Sequence, residues 1–163
     1  MKPYGCIAVS LAYYIKNCHV TAVDISEKAL DIAYLNACSN EVIDKITFIT
    51  GDLFEKLSGM TFDIIVSNPP YISSYEIRSL QTEVKDHEPI IALDGGKDGL
   101  YYYKRIIEEA PCFLNTGGIL AFEVGYNQAC RVTALMKRHF SKIEIIKDLE
   151  KIDRVVIGYI ASM

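Results

Sequence analysis

Apolar residues along this chain switch repeatedly between helical and extended spacing. Ile7, Leu11, Tyr14, Ile15 and Cys18 recur at helical intervals, which predicts a helix almost at the first residue. Residues 19–23 (HVTAV) then read as a short strand closed by Asp24. Ser26 is placed to cap a second helix whose apolar face is Leu30, Ala33, Tyr34 and Ala37. A strand at 46–50 ends at Gly51-Asp52. The unbroken run FDIIVS at 62–67 predicts a strand covered on both faces. An irregular or partly helical stretch follows, to about residue 99. Leu100, Tyr103, Ile107 and Ala110 mark the next helix, with Pro111 expected to kink or end it. Gly117-Gly118 is expected to open a strand at 119–124, followed by a helix around Val132, Leu135 and His139. Strands at 143–147 and 154–160 finish the pattern.

Strands alternating with helices imply an α/β domain with a mainly parallel sheet. The last two strands have no helix between them, so an antiparallel pair is expected at one edge. With 163 residues, no internal repeat and no linker-like tract, the chain reads as one domain over 1–163.

Composition narrows the classes. Half of the residues are hydrophobic and 23% are charged, an ordinary globular balance. A net charge of −4 gives no general attraction to phosphate backbones, so direct nucleic-acid binding is not expected. Five scattered cysteines without a CxxC pair point to buried thiols in a reducing, cytoplasmic setting. No apolar run is long enough to span a membrane, and the three scattered histidines suggest no metal site.

Candidate chemistry sits where strands end. In open α/β sheets ligands lie beyond the carboxyl ends of the strands, and Asp24, Asp52 and Asn68 hold such positions. Asp24 stands 19 residues after Gly5, the spacing of an acidic residue that accepts hydrogen bonds from ribose hydroxyls. A helix cap or a turn accounts equally well for each aspartate alone.

The segment Asn68-Pro69-Pro70-Tyr71 is more telling. A planar amide or amino nitrogen is a poor nucleophile, because its lone pair is delocalised. Methylating it requires aiming the nitrogen at a sulfonium methyl group. The Asn68 side-chain oxygen and the Pro69 carbonyl offer two acceptors for the NH2 hydrogens. The prolines stiffen the segment in advance, and Tyr71 offers a ring to a flat substrate group.

With these segments the chain resembles the protein-(glutamine-N5) methyltransferases that modify peptide chain release factors, the HemK/PrmC family. The likeness rests on GCIAVSLA at 5–12, AVDIS at 22–26, GDLFE at 51–55, FDIIVSNPPYI at 62–72, HEPIIALDGGKDGL at 87–100, GGILAFEVG at 117–125 and DRVVIG at 153–158. NPPY alone is shared with adenine-N6 nucleic-acid methyltransferases, whereas the 87–100 segment is more particular to the glutamine enzymes. The resemblance implies a Rossmann-like class I fold. It also implies methyl transfer from S-adenosylmethionine, leaving S-adenosylhomocysteine, to the glutamine of a release factor's Gly-Gly-Gln motif. By motif, Gly5 would be the final glycine of the cofactor-binding loop and Asp24 would bind the ribose, while Asp52 and Leu53 would flank the adenine. Asn68, Pro69, Pro70 and Tyr71 would hold the glutamine, with Asn68 also near the cofactor. Glu88-Pro89 and Gly95-Gly96 would shape the substrate wall.

At its start the chain departs from that family. The family's N-terminal helical domain, first strand and most of the glycine loop have no counterpart before Gly5, and Pro3 stands where a glycine is usual. A shortened catalytic domain with impaired cofactor binding and an uncovered apolar sheet flank is therefore expected. Two alternatives stay open: an adenine-N6 nucleic-acid methyltransferase, and an inactive methyltransferase scaffold.

Overall fold

The computed structural model describes residues 4–77 and 92–162. They fall into two compact units, Met1–Gly59 and Met60–Met163, each described in turn.

The first unit contains helix α1 (Cys6–Tyr14), strand β1 (Val20–Asp24), helix α2 (Glu27–Ser39) and strand β2 (Ile46–Thr50). β1 and β2 pair in parallel, with Asp24 opposite Thr50. The helices pack through small residues. Val9, Ala12, Ala37, Val42 and Ile46 form a buried cluster, edged by Val20, Ala22, Ile43 and Phe48. The expected helix at the chain start is present, yet it buries a different face. Ala8, Val9 and Ala12 point inward, while Tyr14 is 79% exposed. Close packing on α2 selects small side chains over the larger stripe seen in the sequence. Gly5 shows how close: a Cβ added there would lie 2.4 Å from the Ala33 Cβ, and its φ of +71° suits glycine. α2 carries the expected cap, with the Ser26 Oγ accepting from the Ala29 N–H at 3.3 Å.

The second unit contains β3 (Phe62–Ser67), α3 (Ser74–Ile77), α4 (Tyr101–Glu109), β4 (Leu114–Glu123), α5 (Ala129–Met136), β5 (Lys142–Lys147) and β6 (Asp153–Tyr159). Its sheet has the order β3-β4-β6-β5. β3 and β4 are parallel, and β6 runs antiparallel to both β4 and β5. The antiparallel pair at the edge is therefore present, with reversed β6 one place in from edge strand β5. The fold is mixed α/β, as the alternation predicts. Tyr103, Ile106, Ile107, Leu120, Phe122, Val132, Met136 and Val156 fill its core. Gly158 lets α5 approach the sheet, since a Cβ there would lie 2.5 Å from the Met136 Cε.

Three local expectations change. β3 is not covered on both faces: Ile64 is 49% exposed and Val66 38%. Its only paired neighbour among the described residues is β4. β4 begins at Leu114, ahead of the glycine pair, because a register shift sets Phe62 opposite Leu114 but Ile64 opposite Ile119. Gly117, at φ +76°, lies in the extra length this bulge introduces. The cysteines are not buried: Cys6, Cys38, Cys112 and Cys130 are exposed and Cys18 is half-buried. Alanine and the larger aliphatics fill the inward helix positions instead. Pro111 behaves as expected, lying in the 3-10 turn Ala110–Cys112 that ends α4.

Candidate functional site

In the second unit, pairing of β3 with β4 stops at Ser67 opposite Phe122, and the chain leaves the sheet at Asn68. The two prolines supply no N–H to continue a ladder. Asn68 is exposed, Pro69 is buried, and Pro70 and Tyr71 are half-buried. Neither the Asn68 side-chain amide nor the Pro69 carbonyl has a hydrogen-bond partner among the described residues. Two acceptors are thus presented on a stiff loop, neither of them used by a described residue.

The glycine-rich segment after residue 92 packs directly on that loop. Ile72 N–H donates to the Leu93 carbonyl at 3.0 Å, and Gly95 N–H donates to the Ile72 carbonyl at 2.8 Å. A Cβ at Gly95 would sit 2.8 Å from both the Pro70 oxygen and the Tyr71 Cα. Gly99, at φ +70°, would place a Cβ 2.4 Å from the Tyr71 oxygen. The Asp94 Oδ1 accepts from the Ser74 hydroxyl and the Gly96 N–H, each at 2.8 Å. Gly95 and Gly96 therefore pack against and bond the 70–74 segment. Glu88 and Pro89 lie outside the described residues.

Beneath the loop, Tyr103 is fully buried and donates its hydroxyl to the Glu123 carbonyl at 2.9 Å. Burial, reinforced by neighbouring Tyr71, holds its phenol well above the ordinary tyrosine range, so it stays protonated. Beside Gly96 an open pocket of about 570 Å³ is lined by Gly96, Lys97, Asp98, Tyr101 and Lys104. The Lys104 ammonium, 2.7 Å from Asp98, keeps that carboxyl below its usual range, helped by the Leu100 N–H and Arg131.

In the first unit Asp24 ends β1, and its Oδ1 accepts from the Ser26 N–H at 2.8 Å. That bond makes a turn into α2, and no hydrogen bond to Oδ2 is seen among the described residues. Gly51 N–H donates to the Asp24 carbonyl at 3.1 Å, which brings the turn carrying Asp52 and Leu53 beside it. Leu53 adopts φ +48°, a conformation uncommon for a non-glycine residue and frequent at functional turns. Asp24, Asp52 and Leu53 thus share one end of the β1·β2 pair. Gly5 instead packs on Ala33, and that packing accounts for the glycine.

The sequence reading passed over Gln128. This residue stands three positions beyond Gly125, at the start of α5, and its side chain reaches Tyr71, Gly99 and Gly125. The strand-end rule that selects Asp24 and Asn68 points to the end of β4 at Glu123 and stops short of Gln128. Among the described residues no cluster of metal-ligating side chains occurs, and no helix is long and apolar enough to cross a membrane.

A release factor glutamine methyltransferase of Clostridium acetobutylicum is 42% identical over 94% of this chain and 55% of its own length. One of Geobacter sulfurreducens is 43% identical over 96% of this chain and 55% of its own length. The chain therefore spans about half the length of the curated relatives it matches. The crystal structure of a methyltransferase from Pyrococcus furiosus, 22% identical, superposes with a TM-score of 0.70 over 96% of this chain and 70% of that one. That likeness carries the fold, a Rossmann-like methyltransferase fold. The family model for the methyltransferase small domain matches residues 3–85, from the start of α1 past the NPPY loop. Covering half of the chain, that match shows that it belongs to the methyltransferase small domain family.

Proposed function

We propose that this chain is the core of an S-adenosylmethionine-dependent enzyme that methylates the side-chain amide nitrogen of glutamine in the Gly-Gly-Gln motif of peptide chain release factors. The observation that carries this reading is a pair of acceptors, the Asn68 side-chain oxygen and the Pro69 carbonyl, that no described residue engages, on a loop stiffened by two prolines. A primary amide has two N–H donors in one plane and needs two acceptors to be fixed. The relatives' names support release factors as the protein substrate.

The residues of the first unit suit the cofactor. Asp24 holds the ribose hydroxyls through its carboxylate, and half-buried Asp52 and Leu53, on the turn beside it, flank the adenine. When bound, S-adenosylmethionine supplies an electrophilic methyl group on a sulfonium sulfur. Asn68 and Pro69 draw both amide hydrogens into hydrogen bonds and so fix the orientation of the nitrogen. Tyr71 lays its ring against the amide plane. Such positioning can lower a barrier by ~7–11 kcal/mol at ideal geometry. No strong base is required, because the methylated nitrogen becomes acidic and exposed Asn68 leaves water a route to its proton.

Incubating a release factor with the chain and methyl-labelled cofactor, then mapping the label by mass spectrometry, tests the reading. One methyl group on the Gly-Gly-Gln glutamine is expected, and its loss in Asn68→Ala. Label found on adenine of added DNA or RNA, and absent from the release factor, would overturn it. Saturable binding of S-adenosylhomocysteine without any transfer would instead mark an inactive scaffold.

A further inference from the structure

We propose that Gln128 is the positioning residue that sets the direction of the Pro69 carbonyl and the Tyr71 ring. This inference rests on the reading of 68–71 as the amide-holding loop. A glutamine amide has two N–H donors and one carbonyl acceptor, and here each is used on a different backbone segment. The Nε2 donates to the Tyr71 carbonyl at 2.9 Å and to the Gly99 carbonyl at 3.2 Å. The Oε1 accepts from the Gly125 N–H at 3.1 Å. One side chain therefore ties the NPPY loop, the glycine turn and the end of β4 together.

The surrounding glycines are shaped to admit it. A Cβ at Gly99 would lie 2.8 Å from the Gln128 Nε2, and one at Gly125 would lie 2.9 Å from its Oε1 and 2.7 Å from the Tyr71 ring. Only Pro70, whose φ is fixed, separates Pro69 from Tyr71. Holding the Tyr71 carbonyl consequently limits how far the Pro69 carbonyl can turn. Few other side chains fill the role. Glutamate has the same shape but no donors, and it would set a carboxylate against two carbonyl oxygens. Methionine fills the volume and makes no bonds. Asparagine is one methylene too short.

Amide hydrogen exchange of the whole chain, with Gln128→Met and Gln128→Glu alongside wild type, tests the tie directly. The Ile72, Ser74 and Gly95 amides should exchange about tenfold faster or more in both variants, and the Gly125 amide in Gln128→Met, where its acceptor is gone, with Leu120 and Val156 in the sheet unchanged. Unchanged exchange at those loop amides would overturn the proposal. So would equal loosening of loop and sheet, because it would indicate a general packing role. Glutamate behaving like wild type would also overturn it, since shape alone would then suffice. In the methyl-transfer assay, kcat should fall about 10–100-fold in both variants while KM for the cofactor holds. A wild-type chain that transfers no methyl group would refute the proposed function, and the exchange result would still decide the role of Gln128.

Discussion

The loop that follows β3 and the turns that follow β1 and β2 occupy equivalent places, at strand carboxyl ends, but they are held very differently. The 68–77 segment is bonded by Leu93, Gly95, Gly96 and Gln128, residues distant in sequence, and Gly95 and Gly99 let backbones approach to contact distance. Around Asp24 the described bonds are one Asx-type bond to Ser26 and one backbone bond from Gly51 at the end of the paired strand, beside a left-handed Leu53. The NPPY loop is thus tied to several separate segments through side chain and backbone, whereas the candidate cofactor residues sit on turns at the ends of two paired strands. Substitutions should spread their effects in the former and stay confined in the latter.

Asn68→Ala gives the largest expected effect. It removes one acceptor without touching the supports of the loop, so single-turnover methyl transfer should fall about 10²–10³-fold with the urea unfolding midpoint unchanged. A matching loss of stability would show that Asn68 is part of the scaffold and blur the contrast.

Glycine substitutions sharpen it next. Gly99→Ala would force a Cβ to within 2.4 Å of the Tyr71 oxygen at φ +70°, and should cost the second unit about 2–3 kcal/mol in urea melts. Gly51→Ala meets nothing closer than 3.5 Å, the flexible Lys56 chain, and should cost less than about 0.5 kcal/mol. Equal costs would break the distinction between the two regions.

Asp24→Asn keeps the turn to Ser26 but weakens the acceptor offered to ribose. Calorimetric titration with S-adenosylhomocysteine should show affinity reduced roughly tenfold, with the melting temperature held.

The smallest effect concerns acid. Asp98 has a depressed carboxyl in the folded chain, chiefly through Lys104. Its contribution is therefore present above the ordinary value of 3.8 and lost as pH falls through the lower folded value. Its side chain is 39% exposed, so screening keeps the effect below about 1 kcal/mol. Exchange at Leu100, whose N–H bonds Asp98, should rise below pH 3.8 in wild type, and Asp98→Asn should abolish that pH dependence.

Much of this was legible in the sequence where local chemistry decides. The strands at 46–50 and 62–67, the Ser26 cap, the end of α4 at Pro111 and the antiparallel last pair all follow from periodicity, capping and proline. What the sequence hides depends on partners. The buried face of α1 is set by its fit to α2, and the exposure of Ile64 and Val66 by which strands pair with β3. Gln128 reaches carbonyls 57 and 29 residues away, separations that no local pattern reports. The outward cysteines were misjudged for the same reason, since helix facing is a tertiary property.

The central claim is that the NPPY loop holds a glutamine amide for methylation. Mass spectrometry of a release factor after incubation with this chain and S-adenosylmethionine tests it most directly. The account predicts one added methyl group on the Gly-Gly-Gln glutamine, lost with Asn68→Ala. Methyl transfer that survives Asn68→Ala unchanged, or that lands on a nucleic-acid base in place of the glutamine, would contradict it.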